Sequence, residues 1–357
     1  MPVPRPPIGR GAVLVPGPDA YSPGRLTAGN AAGLLVGHWN TSPYGATGGI
    51  WRGGTTRYLD GSNEPTAVND AGIVVGDAVS HYDRQAFRWV NGTYQLLGFL
   101  GGTDGLGGRR SSASAINRAG AIVGFSSTDS GAEHAALWWG PRPRDLGTLG
   151  GPSSHAVAVS AAGRIVGSSI TAGGQTHAFV WSAGTLHDLG TLGGPSSTAV
   201  AVNERGQVVG SSDTATGARH AVLWERGRTI DLGTLPGDSA SSAVAINSAG
   251  QVLVSSSGAA NGAFLWQAGR RIPLQVPGGD LDAVGLNDQG VVCGTVTVPR
   301  ISGTAHAFRW RAGRLTDLGT LGGAFSSAWA ITPTGIVLGS ATTTASVPKA
   351  VFWPADH

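Results

Sequence analysis

The chain has 357 residues, with 59 glycines, 11 tryptophans, one cysteine and only 13% charged residues, about half the charge density usual for a soluble domain. So much glycine is incompatible with a mostly helical protein, although the length suffices for a large core. The formal charge of +3 and the scattered arginines offer no stripe for a phosphate backbone, the lone Cys293 excludes a disulfide framework and a cysteine zinc site, and no 18-residue apolar run could cross a membrane.

In chain order, the opening MPVPRPPIGRG is rich in proline and has no long apolar segment behind it, so it does not read as a signal peptide. The expected location is cytoplasmic as the sequence stands, or extracellular if a leader has been removed. Next comes a short apolar segment, GAVLVP at 11–16, followed by one unit written eight times. SSHAVAVSAAGRIVGSSITAGGQTHAFVWSAGTLHDLGTL at 153–192 and SSTAVAVNERGQVVGSSDTATGARHAVLWERGRTIDLGTL at 196–235 are its clearest copies. The glycine closing its central turn recurs at Gly33, Gly72, Gly120, Gly163, Gly206, Gly250, Gly290 and Gly335, spaced by 39, 48, 43, 43, 44, 40 and 45 residues. The tryptophan ending its third element recurs at Trp51, Trp89, Trp138, Trp181, Trp224, Trp266, Trp310 and Trp353. A period of this length marks a propeller or solenoid.

Each unit reads as four short strands, a to d. Strand a is exemplified by SSAVAIN (241–247), b by GQVVGSS (206–212), c by HAVLW (220–224) and d by TIDLGTL (229–235). Between a and b, an Asn-x-x-Gly turn recurs from Asn30, Asn69, Asn117, Asn203, Asn247 and Asn287, with Ser160 and Thr332 as replacements; these residues are expected to be structural. Strand c is apolar on both faces, so its sheet must be covered on both sides, as radially packed blades cover one another. The predicted fold is all-β: one eight-bladed propeller of four-stranded antiparallel blades, spanning 26–60, 65–99, 112–149, 153–192, 196–235, 241–274, 281–321 and 326–353. The last unit ends without a strand d, and 11–16 is expected to supply it, closing the ring.

The repeat resembles the HAF family, named for its His-Ala-Phe tripeptide. The resemblance rests on His177-Ala178-Phe179 and His306-Ala307-Phe308, on DLGTLGG at 145–151, 188–194 and 317–323, and on the A-I-N-x-x-G-x-I-V-G turns. It covers nearly the whole chain and implies a repeat found in exported bacterial proteins with no common catalytic constellation, so it assigns no functional residue.

Specificity is expected where the repeat is broken, on the rim carrying the d–a and b–c connections. The first b–c loop (38–49) contributes His38, Trp39 and Tyr44, and the second (77–85) contributes Asp77, His81, Tyr82, Asp83 and Arg84. The long d–a connection at 98–112 carries Asp104, Arg109 and Arg110; Glu64, Asp280, Asp282, Arg300 and Trp329 lie further round. His38 or His81 could act as acid or base, oriented by Asp83 or Glu64. Arg84, Arg109, Arg110 and Arg300 could hold an anionic group, and Trp39, Tyr44, Tyr82 and Trp329 could stack on a ligand. The recurring His134, His177, His220 and His306 belong to the repeat, and no cofactor or metal is expected. Three readings follow: a monomer binding a small organic molecule or peptide at the channel mouth; a cofactor-independent cyclase, lyase or isomerase using histidine in the same pocket; or a non-catalytic interaction scaffold.

Overall fold

The computed structural model describes residues 11–19, 22–42, 45–79, 84–101, 108–259, 261–274, 280–297 and 304–356. Four-stranded antiparallel sheets follow one another along the chain, each in the order a-b-c-d. In the fourth blade these strands are Gly150–Val159, Ile165–Thr171, Thr176–Ser182 and Thr185–Asp188. The innermost strands are Gly24–Gly29, Asn63–Val68, Ser111–Ile116, Gly150–Val159, Gly193–Val202, Asp238–Ile246, Leu281–Leu286 and Gly322–Ile331. Each touches its two sequence neighbours and the last touches the first, so eight blades surround one channel. No described helix is long and apolar enough to cross a membrane.

The ring closes as expected. Val13–Leu14 pairs antiparallel with the last strand, Pro348–Trp353, through Val13 opposite Phe352 and Leu14 opposite Val351. Arg309, only 3% exposed on strand c of blade 7, adds a clamp. Its guanidinium donates to the carbonyls of Gly335, Trp353 and Pro354, and pairs with Asp356 at 2.8 Å.

The structure shows what each letter of the His-Ala-Phe tripeptide does. The His177 ring pairs through Nδ1 with Asp188 at 2.7 Å, and the same carboxylate accepts the Gly190 N–H, holding strand d and its exit turn. The Ala178 N–H donates to Ser197 Oγ on the next blade, and that hydroxyl donates to the Gly190 carbonyl. Phe179 is fully buried between blades. His306, Ala307 and Phe308 repeat the pattern with Asp317 and Ser326. His134 and His220 pair with Asp145 and Asp231 in the same way, so each of the four repeat imidazoles serves its own blade.

On the a–b rim, the Asn30 side-chain carbonyl accepts the Ala32 and Leu34 N–H groups, and Gly33 completes the turn at φ +76°. The amide's other end reaches the next blade: Asn30 Nδ2 donates to the Asn69 carbonyl, Asn69 to Asn117, Asn117 to Ser160, Asn203 to Asn247, Asn247 to Asn287 and Asn287 to Thr332. Ser160 and Thr332 are too short to pass the chain on; their hydroxyls accept N–H groups within their own turns. The recurrent asparagine is therefore both a turn residue and an inter-blade tie.

The sequence-based strand limits shift where the blades join. Strand d of blade 5 ends at Gly233 (φ +67°), whose N–H is held by Asp231, and the next inner strand starts at Asp238, before the expected SSAVAIN.

Candidate functional site

Every inner strand carries a β-bulge at one common position, where the bulged residues are Thr27, Thr66, Ser114, Val157, Val200, Val244, Val284 and Trp329; the strands of blades 4, 5, 6 and 8 have a second register shift near their start. An extra residue in one strand re-aims its side chain. Thr27 and Thr66 use this position to donate to the Pro65 and Ala113 carbonyls of the following blade. Trp329 instead places an indole, 46% exposed, where four blades carry valine.

Two residues earlier in each strand, toward the d–a and b–c rim, lie Arg25, Glu64, Ser112, His155, Thr198, Ser242, Asp282 and Ser327. This column holds four ionisable residues among four hydroxyl residues. Arg25 bridges the closure: its Cζ lies 5.2 Å from the centroid of the Trp329 ring on blade 8, and its Nε donates to His38 Nε2 at 3.1 Å on its own blade.

His38 is buried, and burial first, then the Arg25 charge, pulls its pKa below the ordinary imidazole value, with Glu64 opposing. Both effects favour the neutral ring. Since Nε2 accepts from Arg25, the proton resides on Nδ1, which has no hydrogen-bond partner among the described residues. His38 thus presents a committed lone pair and a buried N–H.

On blade 2, Arg84 joins Glu64 at 3.0 Å and Asp77 at 3.2 Å. Asp77 is 3% exposed and accepts Ser112 Oγ and the Ala113 N–H from blade 3. Burial pushes its pKa up despite Arg84 and these two hydrogen bonds. Around the next interface, Glu133 on strand c of blade 3 takes Arg110 at 3.6 Å and His155 Nε2 at 2.9 Å. The His155 ring also tilts over Phe125, 4.6 Å between centroids. Arg219 continues the set on blade 5, held by Asp213, Ser211 and Thr198.

Of the sequence-predicted residues, Glu64 and Arg84 come together, Arg110 joins Glu133, and Trp329 meets Arg25. Arg109 lies apart with its guanidinium over Phe99 at 5.8 Å. Tyr44, His81, Tyr82, Asp83 and Arg300 lie outside the described residues. Trp39 departs from its expected stacking role: it is 1% exposed and packs edge-on against Tyr58, 5.7 Å between centroids. Strand b of blade 1 extends through it to Ser42, and Gly17, Gly24 and Gly49 leave room for the indole where any Cβ would collide. Cys293 is fully buried, which pushes its thiol pKa up to about 12.

Arg25, Glu133 and His155 were not singled out in the sequence. The signal for Arg25 and His155 is the column itself, where charged residues replace the serine and threonine of the other blades. Between blades 6, 7 and 8 a depression of about 440 Å³ adjoins the same mouth, lined by Asp280, Asp282, Ser255, Asn261, Ser327 and Trp329 among others. Among the described residues, no three His, Cys, Asp or Glu side chains gather to hold a metal.

These features define an eight-bladed propeller with a polar, charge-paired mouth. No protein-family model matches the chain, and no curated protein matches its sequence. Solved structures resemble it in fold. The β-propeller domain of the Trilobed protease from Pyrococcus furiosus superposes with a TM-score of 0.54 at 10% identity, covering 94% of this chain and 96% of that one. A prolyl endopeptidase gives 0.57 at 13% identity over 83% of this chain, and a puromycin-hydrolyzing peptidase from Mycobacterium tuberculosis gives 0.52 at 13% over 98%. This chain spans 50% and 54% of the lengths of those two peptidases. At such identities the likeness shows the fold alone.

Proposed function

We propose that the chain is a binding propeller that takes a small organic molecule or peptide at the channel mouth. The observation that carries this reading is the inner-strand column in which Arg25, Glu64, His155 and Asp282 replace hydroxyl residues beside the bulged Trp329. Residues that only maintain a blade repeat from blade to blade; these do not, and they surround an opening. The propellers of the similar solved structures occur in proteases and peptidases, which suits a peptide or small-molecule ligand. The His-Ala-Phe repeats supply the scaffold in this reading.

Acid/base chemistry at the same mouth is the second reading, and one pair favours it. His155 is held through Nε2 by Glu133 at 2.9 Å with a partly exposed ring, the arrangement that orients an imidazole for proton transfer. His38 suits that role less well, because Arg25 occupies its Nε2.

A thermal-shift screen of peptides and small metabolites, followed by a crystal structure with the best ligand, tests the binding reading. The expected result is a ligand contacting the inner-strand column. A ligand confined to the outer strands, or a screen without any stabilising compound, would contradict it. Replacing His155 by Gln then separates the two readings: loss of turnover of the bound compound with retained affinity assigns catalysis, and absence of any turnover in the unmodified protein assigns binding alone.

A further inference from the structure

The depression between blades 6, 7 and 8 has an unusual balance of groups. Its ionisable lining residues, among those described, are Asp280 and Asp282, with no lysine, arginine or histidine. Ser255, Ser327 and the Asn261 amide add neutral acceptors, and Trp329 adds an aromatic face. Elsewhere round the mouth several carboxylates pair with arginine: Glu64 and Asp77 share Arg84, Glu133 has Arg110, and Asp213 has Arg219. Asp280 and Asp282 have no arginine beside them among the residues that line the depression.

Trp329 supplies a second, independent observation. Its indole is 46% exposed at a bulge where Val157, Val200, Val244 and Val284 stand in other blades. Four blades pack with valine at this position, so the blade itself does not require an aromatic there. The Arg25 guanidinium lies over this ring at 5.2 Å but is not among the residues that line the depression with it. An indole face flanked by carboxylates and neutral acceptors is the chemistry that selects a cation.

We propose that this depression binds an organic cation, an alkylammonium or guanidinium group, either free or carried on a peptide. The proposal rests on the reading of the mouth as a ligand site and names the class of group that it takes. The carboxylates of Asp280 and Asp282 supply the charge, Asn261 and the serine hydroxyls accept the N–H groups that face away from them, and Trp329 covers the alkyl or planar part. The affinity should weaken as salt rises, because both aspartates are exposed and screened.

Isothermal titration of the full chain at low ionic strength tests this, using an acetylated Gly-Arg-Gly amide and the Nα-acetylated forms of argininamide, lysinamide and citrullinamide, the last being the neutral isostere because acetylation removes the α-ammonium. The cationic compounds should bind at least about tenfold more tightly than acetylcitrullinamide. Asp282→Asn and Trp329→Val should each cost about tenfold. Trp329→Val introduces the residue that four blades already use, so a fold change is not expected, and circular dichroism checks this. Stronger binding of acetylargininamide than of the Gly-Arg-Gly peptide assigns a free small molecule; the reverse assigns a side chain in a peptide. Equal binding of acetylcitrullinamide, or unchanged affinity in both variants, overturns the proposal. If none of these compounds binds while the screen above finds a ligand at the mouth, the cation assignment falls and the binding reading stands; if the screen also finds nothing, both fall.

Discussion

Two kinds of blade make up this ring. Blades 4, 5, 6 and 8 have inner strands of 10, 10, 9 and 10 residues, whereas blades 1, 2, 3 and 7 have inner strands of 6. Each long strand follows a blade whose strand c begins with histidine and whose strand d carries the matching aspartate, in the pairs His134–Asp145, His177–Asp188, His220–Asp231 and His306–Asp317. That pair holds the exit turn, and the chain then runs straight into the next inner strand. Leu149, Leu192 and Leu235 fix this path by donating their N–H groups to Ser169, Ser212 and Ser256. Where the pair is missing, the connection is free to vary. Three of the four ionisable residues of the mouth column, Arg25, Glu64 and Asp282, sit on the short strands that follow such connections. Repetition builds the scaffold, and interruption of the repeat opens positions for a ligand.

The largest effect on this comparison should come from the scaffold's apolar core. Phe179→Ala, in the regular repeat of blade 4, should cost about 3–5 kcal/mol in urea unfolding, because a fully buried ring leaves a cavity between blades. Arg309→Met should cost about 3 kcal/mol by removing the buried clamp on the chain end while leaving its carbonyl partners in place. Ser197→Ala should cost about 1–3 kcal/mol, since the Ala178 N–H and the Gly190 carbonyl lose their shared hydroxyl.

A smaller, pH-dependent effect belongs to the repeat pairs. The hydrogen bond to Asp317, with its charge, raises the His306 pKa against burial; burial of Asp317 works upward, but the bonds from His306 and Gly319 outweigh it and lower the net value. The His306 contribution is complete below its unfolded value of 6.5 and is lost as pH rises through the raised one. The Asp317 contribution is present above 3.8 and is lost as pH falls through the lowered one. His306→Ala should therefore cost at most about 1 kcal/mol, chiefly between those two values, with the difference shrinking as pH rises through the raised His306 pKa. Asp77, which interrupts the repeat on blade 2, should act in the opposite sense to Asp317: its raised pKa makes its contribution decline as pH rises above 3.8. Chemical denaturation across pH for both residues compares a pair that belongs to the repeat with a carboxylate that interrupts it.

The fold was legible because its punctuation is unambiguous. Turn glycines and strand-ending tryptophans recur in every unit, and the missing last strand pointed to 11–16, where the pairing of Val13–Leu14 with Pro348–Trp353 is found. The lengths of the inner strands were less legible, because the Gly-Gly of DLGTLGG looks like a loop while backbone pairing runs through it, with Gly150 opposite Thr171. The site was visible only in part. Loops that break the pattern drew attention to His38, Glu64, Arg84 and Trp329, but Arg25 and His155 lie inside strands that otherwise use small residues. Trp39 misled for the opposite reason: it reads as a loop aromatic, yet three glycines distant in sequence make its berth in the core.

The account's central claim is the division of labour between residues that repeat from blade to blade and residues that interrupt the repeat. Its most direct test is a paired measurement on Trp329→Val and Ser197→Ala, recording the unfolding midpoint with and without a mouth ligand. Trp329→Val should keep the unliganded stability within about 0.5 kcal/mol and lose the ligand-induced shift. Ser197→Ala should lose stability and keep that shift. The reverse pattern, with the indole holding the fold together and the serine governing the ligand, would contradict the account.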